Sequence, residues 1–275
     1  MRVLEKGDAH MGTFRSVAAA AVLLAWSAGA QAQSLGDGAK AFKPFVVEHA
    51  GKALSGAKDL RAAIKAGDVK AAQAAWIKSR RGWEAIETVT AEVFPEFDKK
   101  VDPWPDAKQG YHAVEAALFA GKVNEVGAAI DRLVADIAAF EKKIGKTHFR
   151  PQALLNGVSK LAYEIGESKS KGGESPYAAT SHIDMQENIE GLEACWKLVF
   201  EPTLKKRDAK LADLIHEKIE ALEKLVAVDD IKKLDQRAVH VAGEELAALM
   251  QQAAPKLRLR TTKIEEEDEG EAKSK

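Results

Sequence analysis

Residues 72–90 read AQAAWIKSRRGWEAIETVT, and their spacing decides the fold class. Ala72, Trp76, Ser79, Trp83, Ile86 and Thr90 recur at steps of three and four, which lines one face of a helix over five turns. Arg80, Glu84 and Glu87 fall on a strip beside that apolar face, so they border a core without being fully solvated.

The same period continues outward. Val126, Ile130, Leu133, Ile137 and Phe140 make one stripe, and Met185, Ile189, Leu192, Trp196 and Val199 make another, ending near Pro202. Pro151 opens a helix reaching to about Glu167, and further helices are expected at about 209–226 and 229–253. Pro95, Pro103 and Pro105 predict a loop over 95–108 carrying Asp98, Asp102 and Asp106, with a short helix from about 107 to 120 behind it, capped by Gly121. The stretch KSKGGESP at 169–176 reads as the main interior linker. No strand alternation of useful length appears. The expectation is an all-α, bilobal protein: two packed up-down bundles with seven to eight helices.

Composition agrees. The 275 residues are 46% hydrophobic, 30% charged and only 6% aromatic. A formal net charge of −1 argues against a nucleic-acid partner. One cysteine, Cys195, excludes an intrachain disulfide, and its place in an apolar stripe beside Trp196 predicts a buried thiol. Residues 17–30 form a short apolar run, preceded by Arg15 and followed by Ala30-Gln31-Ala32. That pattern predicts a signal peptide at 1–32, cleavage after Ala32 and export to the periplasm of a Gram-negative bacterium. Residues 33–261 are then the helical domain, and 262–275 an acidic, solvated tail.

Chemistry concentrates in two pairs. In YHAVEAALF, residues 111–119, His112 and Glu115 are the only ionisable groups besides the tyrosine, and three residues apart they share a helix face. A lone carboxylate in such a run is costly to bury unless a cation or donors compensate. With Glu84 and Glu87 on a neighbouring helix, a bound metal ion would supply the compensation. Alone, the Glu84/Glu87 pair reads first as an exposed acidic face answering Lys78, Arg80 and Arg81. Carboxylates with an imidazole and no thiolate suit iron, manganese or zinc over Cu(I). Glu164, in the small and apolar run LAYEIG, is a candidate further ligand. In Ser181-His182-Ile183-Asp184, at a helix start, Ser181 or Asp184 reads equally as a helix cap or as part of the site. His49, His148, His216 and His240 read as ordinary surface or core histidines. A His-Glu-x-x-His motif, a glycine-rich phosphate loop and a Gly-x-Ser-x-Gly elbow are all absent.

Three segments together carry a resemblance: WEAIETVTAEVFPEFDKKVD at 83–102, GYHAVEAALF at 110–119 and SPYAATSHIDMQENIEG at 175–191. Their order and spacing resemble the imelysin family, in its EfeO/EfeM branch of periplasmic iron-uptake proteins. The resemblance implies metal ligands at Glu84, Glu87, Asp102, His112 and Glu115, with Glu164 less directly matched. It implies a cleft site between two bundles that binds iron, ferrous or ferric, with zinc or copper as in vitro alternatives. It implies as partners an inner-membrane iron permease and a periplasmic haem peroxidase. The helical part begins near the cleavage site, which implies the helical domain without the cupredoxin domain of the longer branch members. The segment from Asp184 to Asn188 is shorter than the family's usual spacing. Competing readings are a metallopeptidase, with Glu115 or Glu84 as general base, and a module binding an acidic polysaccharide or a partner protein.

Overall fold

The computed structural model describes residues 34–103 and 108–264. The expected signal peptide, Asp106 and all but the start of the acidic tail lie outside the described residues. Eleven α-helices and no strand occur among the described residues. They are α1 (Leu35–Ala66), α2 (Val69–Glu84), α3 (Glu87–Val93), α4 (Pro95–Val101), α5 (Gly110–Phe119), α6 (Gly127–Ile144), α7 (Pro151–Glu167), α8 (Ser181–Cys195), α9 (Glu201–Lys205), α10 (Ala209–Val226) and α11 (Gln236–Lys256). The all-α class is as the sequence implies, and the count exceeds eight because of three short pieces, α3, α4 and α9.

Each of those pieces has a local cause. Pro95 sits in the first turn of α4, where a missing N–H costs nothing, so part of the expected loop at 95–108 is helical. At the other end, Trp196–Phe200 adopts a wider π turn, and Pro202 follows in the first turn of α9. The chain therefore stays helical through Pro202 instead of stopping there. The long stripe over 72–90 breaks at Ala85 and Ile86, and Ile86 has φ −116° and ψ 11°.

Two glycines hold that break. A β-carbon on Gly191 of α8 would lie 1.9 Å from the Ala85 carbonyl oxygen, and one on Gly157 of α7 would lie 2.0 Å from that of Thr88. The Asn188 side chain of α8 donates to the Glu84 carbonyl at 3.0 Å, occupying an acceptor near the end of α2. Gly191→Ala would normally favour a helix interior, but here the methyl meets rigid backbone. We expect it to destabilise the protein by about 1–3 kcal/mol, read by urea unfolding. An unchanged midpoint would mean that the α8 contact is not close in solution.

Side chains define most other boundaries. Ser34, Asp68, Asp208 and Asp235 accept from backbone N–H groups in the first turns of α1, α2, α10 and α11. Gly67, at φ 71°, closes α1 in the left-handed region and turns the chain back so that α2 packs along α1. Helices α1, α2, α5 and α6 form one group, and α7, α8, α10 and α11 the other. Contacts of α3 with α7 and of α2 with α8 join the two groups. One apolar core runs through both, with Trp76, Trp83 and Trp196 fully buried. Cys195 is a buried free thiol, as its stripe position implies. None of the described helices is long and apolar enough to cross a membrane.

Candidate metal centre

The seam between the two groups holds a buried cluster of charges, and most of the sequence-read ligands are in it. Glu84 ends α2 and Glu87 begins α3, so the break between them reorients both carboxylates toward one point. The Asn188 amide nitrogen donates to both, at 2.9 Å to Glu84 and 2.6 Å to Glu87. Asp102 caps the C-terminus of α4 and faces α5, where its Oδ1 lies 3.0 Å from His112 Nε2. The other imidazole nitrogen, Nδ1, lies 3.1 Å from Glu115 Oε2. Glu115 Oε1 accepts from the backbone N–H groups of Tyr177 and Ala178, at 3.0 and 2.9 Å.

Glu164 lies near this set. It is half-buried, pairs with Lys160 at 3.5 Å, and acts on Glu87 and Lys169 through its field.

Two cations that the sequence reading did not place in the site occupy its middle. Arg80 is 1% exposed and reaches Glu84 at 2.7 Å, Asp102 at 2.6 Å, Glu174 at 3.1 Å and Asp184 at 3.3 Å. Its guanidinium also lies over the rings of Trp76 and Tyr111. Lys169 is 2% exposed, with its ammonium 3.0 Å from each Glu87 oxygen, 2.8 Å from Glu174 and 3.7 Å from Glu84.

Lys169, Glu174 and Ser175 come from the stretch read as the main interior linker. In the fold, residues 168–180 are a strap laid over the seam. Composition could not show this, because glycine, serine and charge look the same in a linker and in a strap that satisfies buried carboxylates. Arg80 was legible: it precedes Glu84 by four residues, which puts the two side by side on α2. Asp184 does not cap α8. Thr180 holds the N-cap position, while Asp184 accepts from Ser175 Oγ at 2.5 Å and faces Arg80.

Burial and mutual charge set the protonation. Burial drives Glu84 up, against Arg80 and Lys169, and drives Glu87 well up. Burial likewise lifts Asp184, and outside the cluster Asp98, to about 7. Asp102 would rise for the same reason, but Arg80 and His112 pull it well below the usual carboxylate range. Burial disfavours the imidazolium of His112, yet its bonds to Asp102 and Glu115 outweigh that and raise it to about 9.

The cluster thus contains six carboxylates, Glu84, Glu87, Asp102, Glu115, Glu174 and Asp184, against three cations, Arg80, Lys169 and protonated His112. Asn188 adds a buried amide oxygen with no hydrogen-bond partner among the described residues. Surplus carboxylates, one imidazole and an unpaired amide oxygen are a donor set that accepts a hard or borderline cation.

Among the described residues, the one group of three acidic or histidine side chains whose ligand atoms converge to within metal-binding distance lies outside the seam. Glu167 of α7 and His240 and Glu244 of α11 place one ligand atom each within 4.8 Å of one another at the surface. His240 therefore has carboxylate company: Glu244 follows it by four residues on the same helix, a spacing the reading of His240 as an ordinary histidine passed over, and Glu167 comes from α7.

The chain is an all-α protein with a carboxylate-rich seam, and sequence comparison supplies the family. The chain belongs to the imelysin family, whose profile, also described as peptidase M75, matches residues 41–109 and 106–259. It is similar to the iron uptake system component EfeO of Escherichia coli K12, and to those of Escherichia coli O157:H7 and Shigella flexneri, at 30% identity over 188 residues in each case. Those matches cover 65% of this chain, which spans about half the length of these curated relatives.

Proposed function

We propose that this protein binds iron at the seam cluster and serves as the metal-binding component of an iron uptake system. In this reading residues 1–32 direct export, the mature protein works in the periplasm, and iron passes on to an inner-membrane permease that acts with a periplasmic haem peroxidase. The observation that carries the proposal is the excess of carboxylates over cations in the seam, Glu84, Glu115 and Asp184 buried and Glu87, Asp102 and Glu174 partly so, beside an amide oxygen left unpaired. Without a metal, raised pKa values at Glu84, Glu87 and Asp184 answer part of that excess with protons. A divalent or trivalent ion would answer it directly.

Glu84, Glu87, Asp102 and His112 are the residues that would hold the ion, with Glu115 fixing the imidazole and Glu164 at the rim. Iron is cargo here, not a catalyst. The name of the similar proteins, iron uptake system component, supports the choice of ion. Imidazole together with carboxylates favours iron over calcium and magnesium, which prefer all-oxygen sites. Calorimetry should therefore show iron binding at least about tenfold more tightly than either, a difference of about 1.4 kcal/mol. Equal binding of calcium would sink the assignment.

The family's peptidase description favours a second reading, hydrolysis at a metal-bound water. That reaction needs a carboxylate free to take a proton. Glu115 is held by two backbone N–H groups and by His112. Glu84 is fully buried beside Arg80 and Asn188. Both candidate bases are thus engaged, and binding without hydrolysis is the better account. Iron-loaded protein that cleaves an unfolded polypeptide would reverse this judgement.

A further inference from the structure

We propose that Lys169 is a built-in competitor for the cargo: its ammonium sits in the ion's place, and iron enters only when the strap at residues 168–180 withdraws it. The inference rests on the iron-binding reading above. Its ground is geometric. Glu84 and Glu87 are two of the groups that would hold the ion, and the Lys169 ammonium lies within 3.0 Å of both Glu87 oxygens and 3.7 Å from Glu84. Ligand oxygens lie about 2.0–2.2 Å from a transition metal. A metal and an ammonium cannot both take those oxygens without bringing two positive charges within a few ångströms in a poorly screened interior.

Of the two buried cations, Lys169 is the one built to move. Arg80 lies mid-helix in α2, with a planar head fixed on four carboxylates and stacked over two rings. Lys169 carries a compact head on a flexible stem. It stands on a single 3-10 turn, Lys169–Lys171, beyond the end of α7. Gly172 follows at φ 81°, and further along the strap Ala179 holds φ 55°, a region that residues other than glycine seldom occupy. The strap is tied to the site by Glu174 to Lys169 and Arg80, Ser175 to Asp184, and the Tyr177 and Ala178 N–H groups to Glu115, and to its flanking helices by Ser170 to the Gly166 carbonyl, Lys171 to Glu167 and the Ser175 N–H to Ser181. A strap that lifts would therefore remove Lys169 and loosen the partner of His112 together.

Such a competitor has a use in transport. Apparent affinity falls by the fraction of molecules in the open state, so a lysine that reseats itself helps the ion to leave. A site without it would hold iron more tightly and release it more slowly.

The first test uses wild-type protein, without and with stoichiometric iron, treated with an amine-acylating reagent and read by mass spectrometry. Exposed Lys40 serves as the internal control. Lys169 should be protected without iron and modified at least about tenfold faster with it. Lys169 that stays protected in iron-loaded protein overturns the proposal. Wild-type protein that binds no iron instead removes the iron-binding reading itself, and the two failures are thereby distinguished. The second test is Lys169→Gln, which should bind iron at least about tenfold more tightly and gain more in Tm from iron than wild type does. If this variant folds only with iron present, the competitor role is supported. Equal or weaker affinity, or no folding even with iron, means that Lys169 is needed alongside the ion and overturns the proposal.

Discussion

His112→Ala is expected to weaken iron binding at least about tenfold, and Glu115→Gln about 10–100-fold by a different route. In the proposed iron site, His112 is the imidazole that would separate a transition-metal site from a hard-cation site. Without it, the preference for iron over calcium should shrink as the affinity falls. Glu115 works through the tautomer. Its carboxylate accepts from Nδ1–H, so a neutral His112 keeps its lone pair on Nε2, the nitrogen facing Asp102. In Glu115→Gln, Oε1 still receives the Tyr177 and Ala178 N–H groups, which turns the new NH2 toward Nδ1. The imidazole then carries its proton on Nε2, where the ion would have bound. Calorimetry on both variants checks this, and unchanged affinity in both would reduce the pair to a structural hydrogen bond.

The same imidazole gives a pH signature. His112 is raised from 6.5 to about 9 in the folded protein. Its contribution to stability is therefore fully present below pH 6.5 and is lost as pH rises through about 9. The metal-free His112→Ala variant should accordingly be weaker than wild type at pH 6 and close to it near pH 10. Iron affinity of wild type should rise over the same interval, because the ion has to displace the Nε2 proton.

What the sequence could and could not convey follows from the range of each interaction. Helical period is local, so the stripes through Trp76, Ile137 and Ile189 were legible, as were Pro151 opening α7 and Gly121 closing α5. The His112/Glu115 pair was legible because two ionisable groups in an apolar helix demand an explanation. The break between Glu84 and Glu87 was not, since its causes, Gly191, Gly157 and Asn188, lie on α7 and α8, about 70 to 105 residues away. Lys169 and Glu174 were missed for a related reason: a charge in a glycine-rich stretch is ordinarily solvated, and only the fold shows these turned inward. Asp184 is legible at a helix start, but its pairing with Arg80 is not.

Arg80→Met should produce the largest loss of stability of any change in the seam. Methionine keeps the apolar stem but removes a charge that faces Glu84, Asp102, Glu174 and Asp184 from one buried position. Removing one partner of a buried pair costs about 3–5 kcal/mol, chiefly because the other is left unneutralised. Here four are left, with only Lys169 and His112 nearby to answer them. Arg80→Lys should recover part of the loss, since a point charge cannot reach all four carboxylates as the planar head does. The sign of the pH dependence follows from burial. Asp184 already stands at about 7 with Arg80 present. Without Arg80, all four acids shift upward: Glu84 and Asp184 move further above their unfolded values, while Asp102 and Glu174 lose the pull that holds them below theirs. An acid shifted upward binds more protons folded than unfolded, so stability falls as pH rises from about 4 through the shifted value. The gap between Arg80→Met and wild type should therefore be wider at pH 8 than at pH 5, as read by urea unfolding. Iron should narrow it at pH 8 by supplying the missing positive charge. A small deficit, equal at both pH values, would mean that water screens these pairs in solution, and the charge imbalance would no longer argue for a bound ion.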